Sequence, residues 1–128
     1  MIIEKNLLVL STDKIKSKIY TFRDKQVMLD KDLAELYEVK TIRLREQVKR
    51  NSKRFPPDFM FQLNDSEVDF LLSQNAIHSR KRLGGYLPYV FTEQGVAALS
   101  SVLTNDKAIE VNIQMKYLKR YYNLKWHN

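Results

Sequence analysis

The residues best suited to chemistry in this 128-residue chain are the basic side chains between positions 40 and 54, where the sequence reads KTIRLREQVKRNSKR. Glu46 is the one acidic residue in this stretch, which we call the basic segment. Lysine and arginine at this density bind polyanions such as nucleic acids, but they also cover the solvated faces of ordinary domains. The basic members are Lys40, Arg43, Arg45, Lys49, Arg50, Lys53 and Arg54.

A helix from Thr41 to about Asn51 would divide the basic segment into two faces. Leu44 and Val48 are four residues apart and fall on one side of such a helix. At an advance of about 100° per residue, the opposite side lies roughly 140–260° from Leu44 and carries Arg43, Glu46, Lys49, Arg50 and Lys53. Helices that serve only solubility mix both signs of charge, so this face favours nucleic-acid binding.

Two kinds of DNA contact are predicted from these positions. Arg43, Gln47 and Arg50 are the predicted base contacts, because arginine and glutamine can form paired hydrogen bonds with guanine and adenine edges. Ile42 also points outward, where it could contact a thymine methyl group, the following strand, or no other group. The remaining predicted interface on this helix and just beyond it, mainly phosphate contacts, comprises Lys40, Thr41, Arg45, Lys49, Lys53 and Arg54.

A second basic cluster, Arg80-Lys81-Arg82, lies in a predicted loop over residues 75–85. If this loop joins two paired strands, it resembles the wing of a DNA-binding domain, which touches phosphates or the minor groove. An ordinary mobile loop explains the same residues equally well. Gly84-Gly85 indicates a tight turn at its end.

The surrounding sequence predicts the elements that would position these side chains. Asp30 is placed as the N-cap of a helix reaching Tyr37, and Thr41 as the cap of the next, which gives a helix-turn-helix. Pro56-Pro57 prevents further extension of the second helix. Residues 18–22 and 26–29 form a predicted hairpin, and 59–63 pairs with 86–91, where Pro88 requires an edge or a bulge.

Two more helices and a long final helix complete the prediction. Asn64 with Glu67, and then Thr92, are expected to cap the first two, and Asn105-Asp106 to precede the last. The fold class is therefore α+β, a helix-turn-helix core with small β-hairpins, winged-helix-like, and a long C-terminal helix. Residues 1–17 are predicted to be a weakly patterned arm, and 18–128 a single DNA-binding domain.

The final helix carries two apolar stripes. The first comprises Val111, Met115, Leu118 and Tyr122, and the second comprises Ile109, Ile113, Tyr117 and Tyr121. A helix with two such stripes is expected to pack against its own domain and also against a homodimer partner or a C-terminal domain, through residues 107–123. Trp126 is expected to extend the outer surface.

Composition narrows the function classes. The formal charge is +7 and the isoelectric point about 9.6, which favours polyanionic partners. The chain has no cysteine, and His78 and His127 lack metal-ligand spacing, so no metal, cofactor or catalytic site is predicted. With no export signal and no membrane span in the sequence, a cytoplasmic location is expected.

Three segments within about Tyr20 to Tyr122 read VMLDKDLAELYEV, EQVKRNSKRFPPDFMFQL and YLPYVFTEQGVAALSSVL. Together they resemble the ORF-six N-terminal domain, a KilA-N-associated DNA-binding module of phages and prophages. The resemblance implies double-stranded DNA binding in an antirepressor-like or transcriptional regulator. Glu38 stands where this family tends to have glycine, so it must adopt a left-handed conformation or reshape the turn. Arg45 stands where asparagine is frequent.

Alternatives to DNA binding come from different classes. The domain could bind a repressor protein without DNA, with its charge steering that encounter. RNA binding fits the charge but lacks the exposed aromatic strand pattern of the common RNA modules. A DNA-processing enzyme has the weakest support, because the clustered carboxylates occur where helix N-termini favour negative charge.

Overall fold

The computed structural model describes residues 11–126, which form an α+β fold. Helices and one antiparallel sheet alternate along the chain, as the sequence predicted. Two short 3₁₀ helices, Ser52–Arg54 and Arg80–Leu83, lie between the main elements. In chain order the main elements are α1 (Thr12–Lys16), β1 (Ile19–Phe22), β2 (Lys25–Leu29), α2 (Asp30–Leu36), α3 (Thr41–Arg50), β3 (Met60–Gln62), α4 (Asp65–Ser73), β4 (Tyr89–Phe91), α5 (Glu93–Val102) and α6 (Asp106–Tyr121).

The sheet has the strand order β1-β2-β4-β3. The β1–β2 hairpin turns at Arg23 and Asp24, whose φ angles of 54° and 63° match a two-residue type I′ turn. β3 pairs with β4, and both pairings were predicted. The expectation for Pro88 was wrong, because β4 lies inside the sheet and begins one residue later. Pro88 contributes its carbonyl oxygen, which accepts from Leu63 N–H at 2.9 Å.

Alternating strand residues feed two cores on the two faces of the sheet. Met28 and Phe91 point to the larger core, which also contains buried residues of α2, α3, α5 and α6. Val27 and Val90 point to the smaller core, which α4 and the loop after it cover. The helix-turn-helix therefore packs on one face of the sheet and α4 on the other.

The predicted caps have mixed outcomes. Asn64 and Glu67 form the predicted capping box at the start of α4, with bonds of 2.9 and 2.8 Å. Arg23 also donates twice to the Glu67 carboxylate, which lowers the pKa of Glu67. Thr92 caps α5 by accepting from Gly95 N–H at 3.3 Å. The predictions for Asp30 and Thr41 were wrong: both are the first residues of their helices, and neither helix has a side-chain cap.

The start of α5 lies very close to the chain entering β3. Gly95 is buried, and a Cβ atom added there would overlap the backbone oxygen of Phe59 and lie 2.9 Å from its carbonyl carbon. The Thr92 hydroxyl donates to that same oxygen at 3.2 Å. This close approach holds the start of α5 against the chain entering β3.

Both ends of the described chain contribute to the larger core. Residues 12–16 of the predicted arm form α1, and Ile15 is fully buried. Trp126 is only 7% exposed, so the expectation that it extends an outer apolar surface was wrong. Residues 1–10 and His127 lie outside the described residues.

α6 separates its two predicted stripes. Val111 and Leu118 of the first stripe are buried in the larger core, whereas Tyr122 is exposed. Ile109, Ile113 and Tyr121 of the second stripe are exposed, and we call them the outer face of α6. No helix within residues 11–126 is long and apolar enough to cross a membrane.

Candidate nucleic-acid interface

α2 and α3 form the predicted pair of helices around a short turn. Ala34 of α2 is buried, as are Leu44 and Val48 of α3. All three belong to the larger core. Val39 N–H donates to Ala34 O at 3.0 Å and closes the turn. The buried Tyr37 hydroxyl donates to Asn112 of α6 at 3.0 Å, and burial raises the pKa of this hydroxyl. The turn is thereby anchored to the body of the domain.

Glu38 adopts the left-handed conformation at the turn, with φ of 53°. Of the two alternatives expected for Glu38, a left-handed conformation or a reshaped turn, the structure has the first. A residue with a Cβ atom pays roughly 1–2 kcal/mol in this region. The Glu38 carboxylate lies 3.4 Å from Lys107 Nζ, and this solvent-exposed pair offsets little of that strain.

Glu38→Gly is expected to increase the free energy of unfolding by about 0.5–1 kcal/mol, because glycine adopts positive φ without the Cβ penalty. Chemical denaturation of the two proteins measures the difference. Glu38→Ala is the control, since it removes the pair with Lys107 but keeps the strained Cβ. An alanine variant as stable as the glycine variant would show that the backbone conformation is not the cause.

The outward face of α3 is exposed and basic, as predicted. Ile42 is 55% exposed, so contact with the following strand does not explain its position. Arg43 is exposed, and its guanidinium lies 3.8 Å from the carboxylate of Glu46. Gln47 is half-buried beside this face. The three predicted base contacts thus lie on one side of α3 or at its border.

Five cations of the basic segment have no acidic partner among the described residues. On other surfaces, Arg23, Lys25, Lys107 and Lys119 form salt bridges, whereas exposed cations such as Lys116 and Arg120 of α6 form none among the described residues. An exposed cation without a counter-charge keeps its full electrostatic attraction for a polyanion. The five are Lys40, Lys49, Arg50, Lys53 and Arg54.

Arg45 differs from the other basic residues of α3. Its side chain is only 17% exposed, and its Nε donates to the Asp30 carboxylate at 2.9 Å. One terminal nitrogen donates to Leu87 O at 2.7 Å. Its guanidinium carbon lies 4.8 Å from the ring centre of Tyr86 and 5.0 Å from that of Tyr89. Arg45 is therefore bound within the domain, and we do not include it in a DNA contact set.

The Arg80–Arg82 cluster also divides between two roles. Arg80 donates to Asp65 at 2.9 Å and to Asp69 at 2.7 Å, and these bonds raise its pKa and fix it on α4. Lys81 and Arg82 are exposed on the short 3₁₀ helix of the same loop. Gly84 and Gly85 follow with positive φ, as a tight turn requires. The predicted loop therefore contains an ordered turn and presents two free cations.

Sequence reasoning missed the contacts that place this loop beside α3. Asp30, Tyr86 and Tyr89 lie 15 to 44 residues from Arg45, so no local pattern joins them. One available signal was the position of Arg45 on the helix, about 100° from Leu44, at the border of the buried side. A cation at such a border often finds an internal partner.

The family comparison agrees with the motifs of the sequence. The family model of the ORF6N domain matches residues 17–102, from the start of the sheet to the end of α5. The match supports a regulatory domain of phage type. No curated protein and no solved structure matches the chain.

Proposed function

Because the chain belongs to the ORF6N domain family, we propose that it is a sequence-specific double-stranded DNA-binding domain of a phage- or prophage-type regulator, either antirepressor-like or a transcriptional regulator. α3 lies in the major groove in this proposal, which includes a cytoplasmic location and assigns no catalytic reaction. The single observation that carries it is the row of exposed cations without acidic partners along the basic segment. Exposed cations without counter-charges can neutralise backbone phosphates, which supply a large share of the affinity for DNA.

The proposal divides the contacts by geometry. Arg43, Gln47 and Arg50 read base edges, since they lie on or beside the exposed face of a helix that can enter the major groove. Phosphates are held by cations nearer the ends of α3 and on the adjacent loop. These are Lys40, Lys49, Lys53, Arg54, Lys81 and Arg82, with Thr41 at the first turn of the helix.

The experiment that tests this function is a binding-site selection from random duplexes, followed by affinity measurements across a salt series. We expect an enriched sequence and a slope of log K against log salt of roughly −4 or steeper, because each neutralised phosphate contributes about −0.9. A protein that enriches no duplex, or binds all of them with a slope near zero, would contradict the proposal.

The outer face of α6 favours a second function, binding of another protein. Ile109, Ile113 and Tyr121 are exposed on a surface remote in sequence from the basic segment. Contiguous exposed apolar residues often mark protein contacts. A repressor partner, a homodimer and a C-terminal domain would all use such a surface. DNA-independent capture of a partner by a protein that shifts no duplex would favour this function over the first.

A further inference from the structure

Arg45 connects three parts of the domain that are distant in sequence. It projects from α3, and its Nε meets the Asp30 carboxylate at the start of α2. One of its terminal nitrogens donates to the backbone oxygen of Leu87. Leu87 lies in the segment that leads into β4 from the loop over residues 75–85, which we call the basic loop. The same Asp30 carboxylate accepts from Tyr89 N–H at 3.1 Å. One buried ion pair thus joins both helices of the helix-turn-helix to the chain entering the central strand.

The basic loop is consequently held from two sides. At its front, Arg80 is fixed on α4 by Asp65 and Asp69. At its rear, the guanidinium of Arg45 lies under the exposed ring of Tyr86 and binds Leu87 O. Lys81 and Arg82 lie between these two attachments and carry no acidic partner within residues 11–126. The rear attachment is the one that comes from α3 itself.

We propose that Arg45 is a positioning residue that sets the loop bearing Lys81 and Arg82 at a defined place beside α3, so that both elements engage one DNA duplex. This inference rests on the proposed function. Asp30 is its counter-ion, and Tyr86 covers the pair on the solvent side. Arginine suits this role because its planar group can bond a carboxylate and a carbonyl while it stacks on an aromatic ring.

The sign of one substitution separates positioning from direct DNA contact. Asp30→Asn removes a negative charge, so a freed Arg45 that touched phosphate would bind DNA more tightly. If Arg45 positions the loop, Asp30→Asn instead weakens binding by about tenfold, and Arg45→Gln weakens it with a loss of roughly 1 or more from the salt slope, because Lys81 and Arg82 no longer engage the duplex. Tighter binding of duplex DNA by Asp30→Asn would overturn the inference.

Coupling to the loop cations supplies a readout that general destabilisation would not move. In the wild-type protein, Lys81→Ala with Arg82→Ala should reduce the salt slope by about 1.8. In the Asp30→Asn background, the same two substitutions should reduce the salt slope by less than half as much. Tyr86→Leu keeps the buried ion pair and is the second variant if Asp30→Asn does not fold. An undiminished loop contribution in the folded variant would overturn the inference.

Nuclear magnetic resonance tests the positioning without DNA. In Asp30→Asn, or in Tyr86→Leu, we expect the amides of Tyr86 and Leu87 to gain nanosecond motion, while those of α4 keep their order. Unchanged order at Tyr86 and Leu87 would overturn the inference even if the protein binds DNA. If the wild-type protein binds no duplex but the amides respond as expected, the proposed function fails and the positioning of the loop by Arg45 stands.

Discussion

Arg43→Ala combined with Arg50→Ala is expected to weaken binding to the selected duplex by roughly 100-fold or more, because each base contact contributes about 1–3 kcal/mol. Discrimination against mismatched sequences should fall with it. Both side chains are exposed on α3, so the double variant should fold normally. Titration of wild-type and variant proteins with matched and scrambled duplexes measures the effect.

The matched control is Lys116→Ala combined with Arg120→Ala, which removes the same charge from exposed positions on α6. This control separates a local contact from the general effect of net charge. We expect it to change affinity several-fold at most. If the α3 variant, correctly folded, keeps its affinity and its salt slope, the assignment of α3 as the recognition helix is wrong.

Gly95→Ala is expected to lower the free energy of unfolding by about 3 kcal/mol, with the melting temperature falling by roughly 10 °C. In an unobstructed helix this substitution would stabilise, by up to about 1 kcal/mol. Here the new methyl group would overlap the backbone oxygen of Phe59, which cannot rotate away as a side chain can. The sign of the measured change therefore reports on the close approach between α5 and the chain before β3.

Ala97→Gly in the same helix is the control for this effect. Ala97 is exposed, so its replacement should cost only the intrinsic helix preference, about 1 kcal/mol. Calorimetry of both variants gives the comparison. Stabilisation by Gly95→Ala would mean that the α5–Phe59 contact is looser than described.

Features that depend on neighbouring residues could be predicted from the sequence. Asn64 and Glu67 are three residues apart, and their capping box follows from that spacing alone. The left-handed alternative at Glu38 followed from the resemblance to a family that tends to have glycine at this position of the turn. The exposed side of α3 followed from helix periodicity, with Leu44 and Val48 inward.

Features that depend on tertiary contacts could not be predicted from the sequence. Asp30 has the residue type and position of an N-cap, but its carboxylate is taken by Arg45 and by Tyr89 N–H. A buried carboxylate without its counter-ion is strongly destabilising, and the counter-ion of Asp30 lies 15 residues away on another helix. Trp126 was expected to extend the outer apolar surface, but α6 ends at Tyr121 and the chain after it places Trp126 in the larger core. DNA contacts stay a prediction, since they depend on a partner outside the chain.

The bond between Asp30 and Tyr89 spans 59 residues, and this has a consequence for the order of folding. α2 and α3 contact each other over a short stretch of chain, whereas the attachment of β4 must close a long loop at a large entropic cost. We expect the helix pair to form first and the attachment last. A folding intermediate in which β4 is not yet attached would have a basic helix without a fixed orientation. Tight duplex binding should therefore appear only when folding is complete.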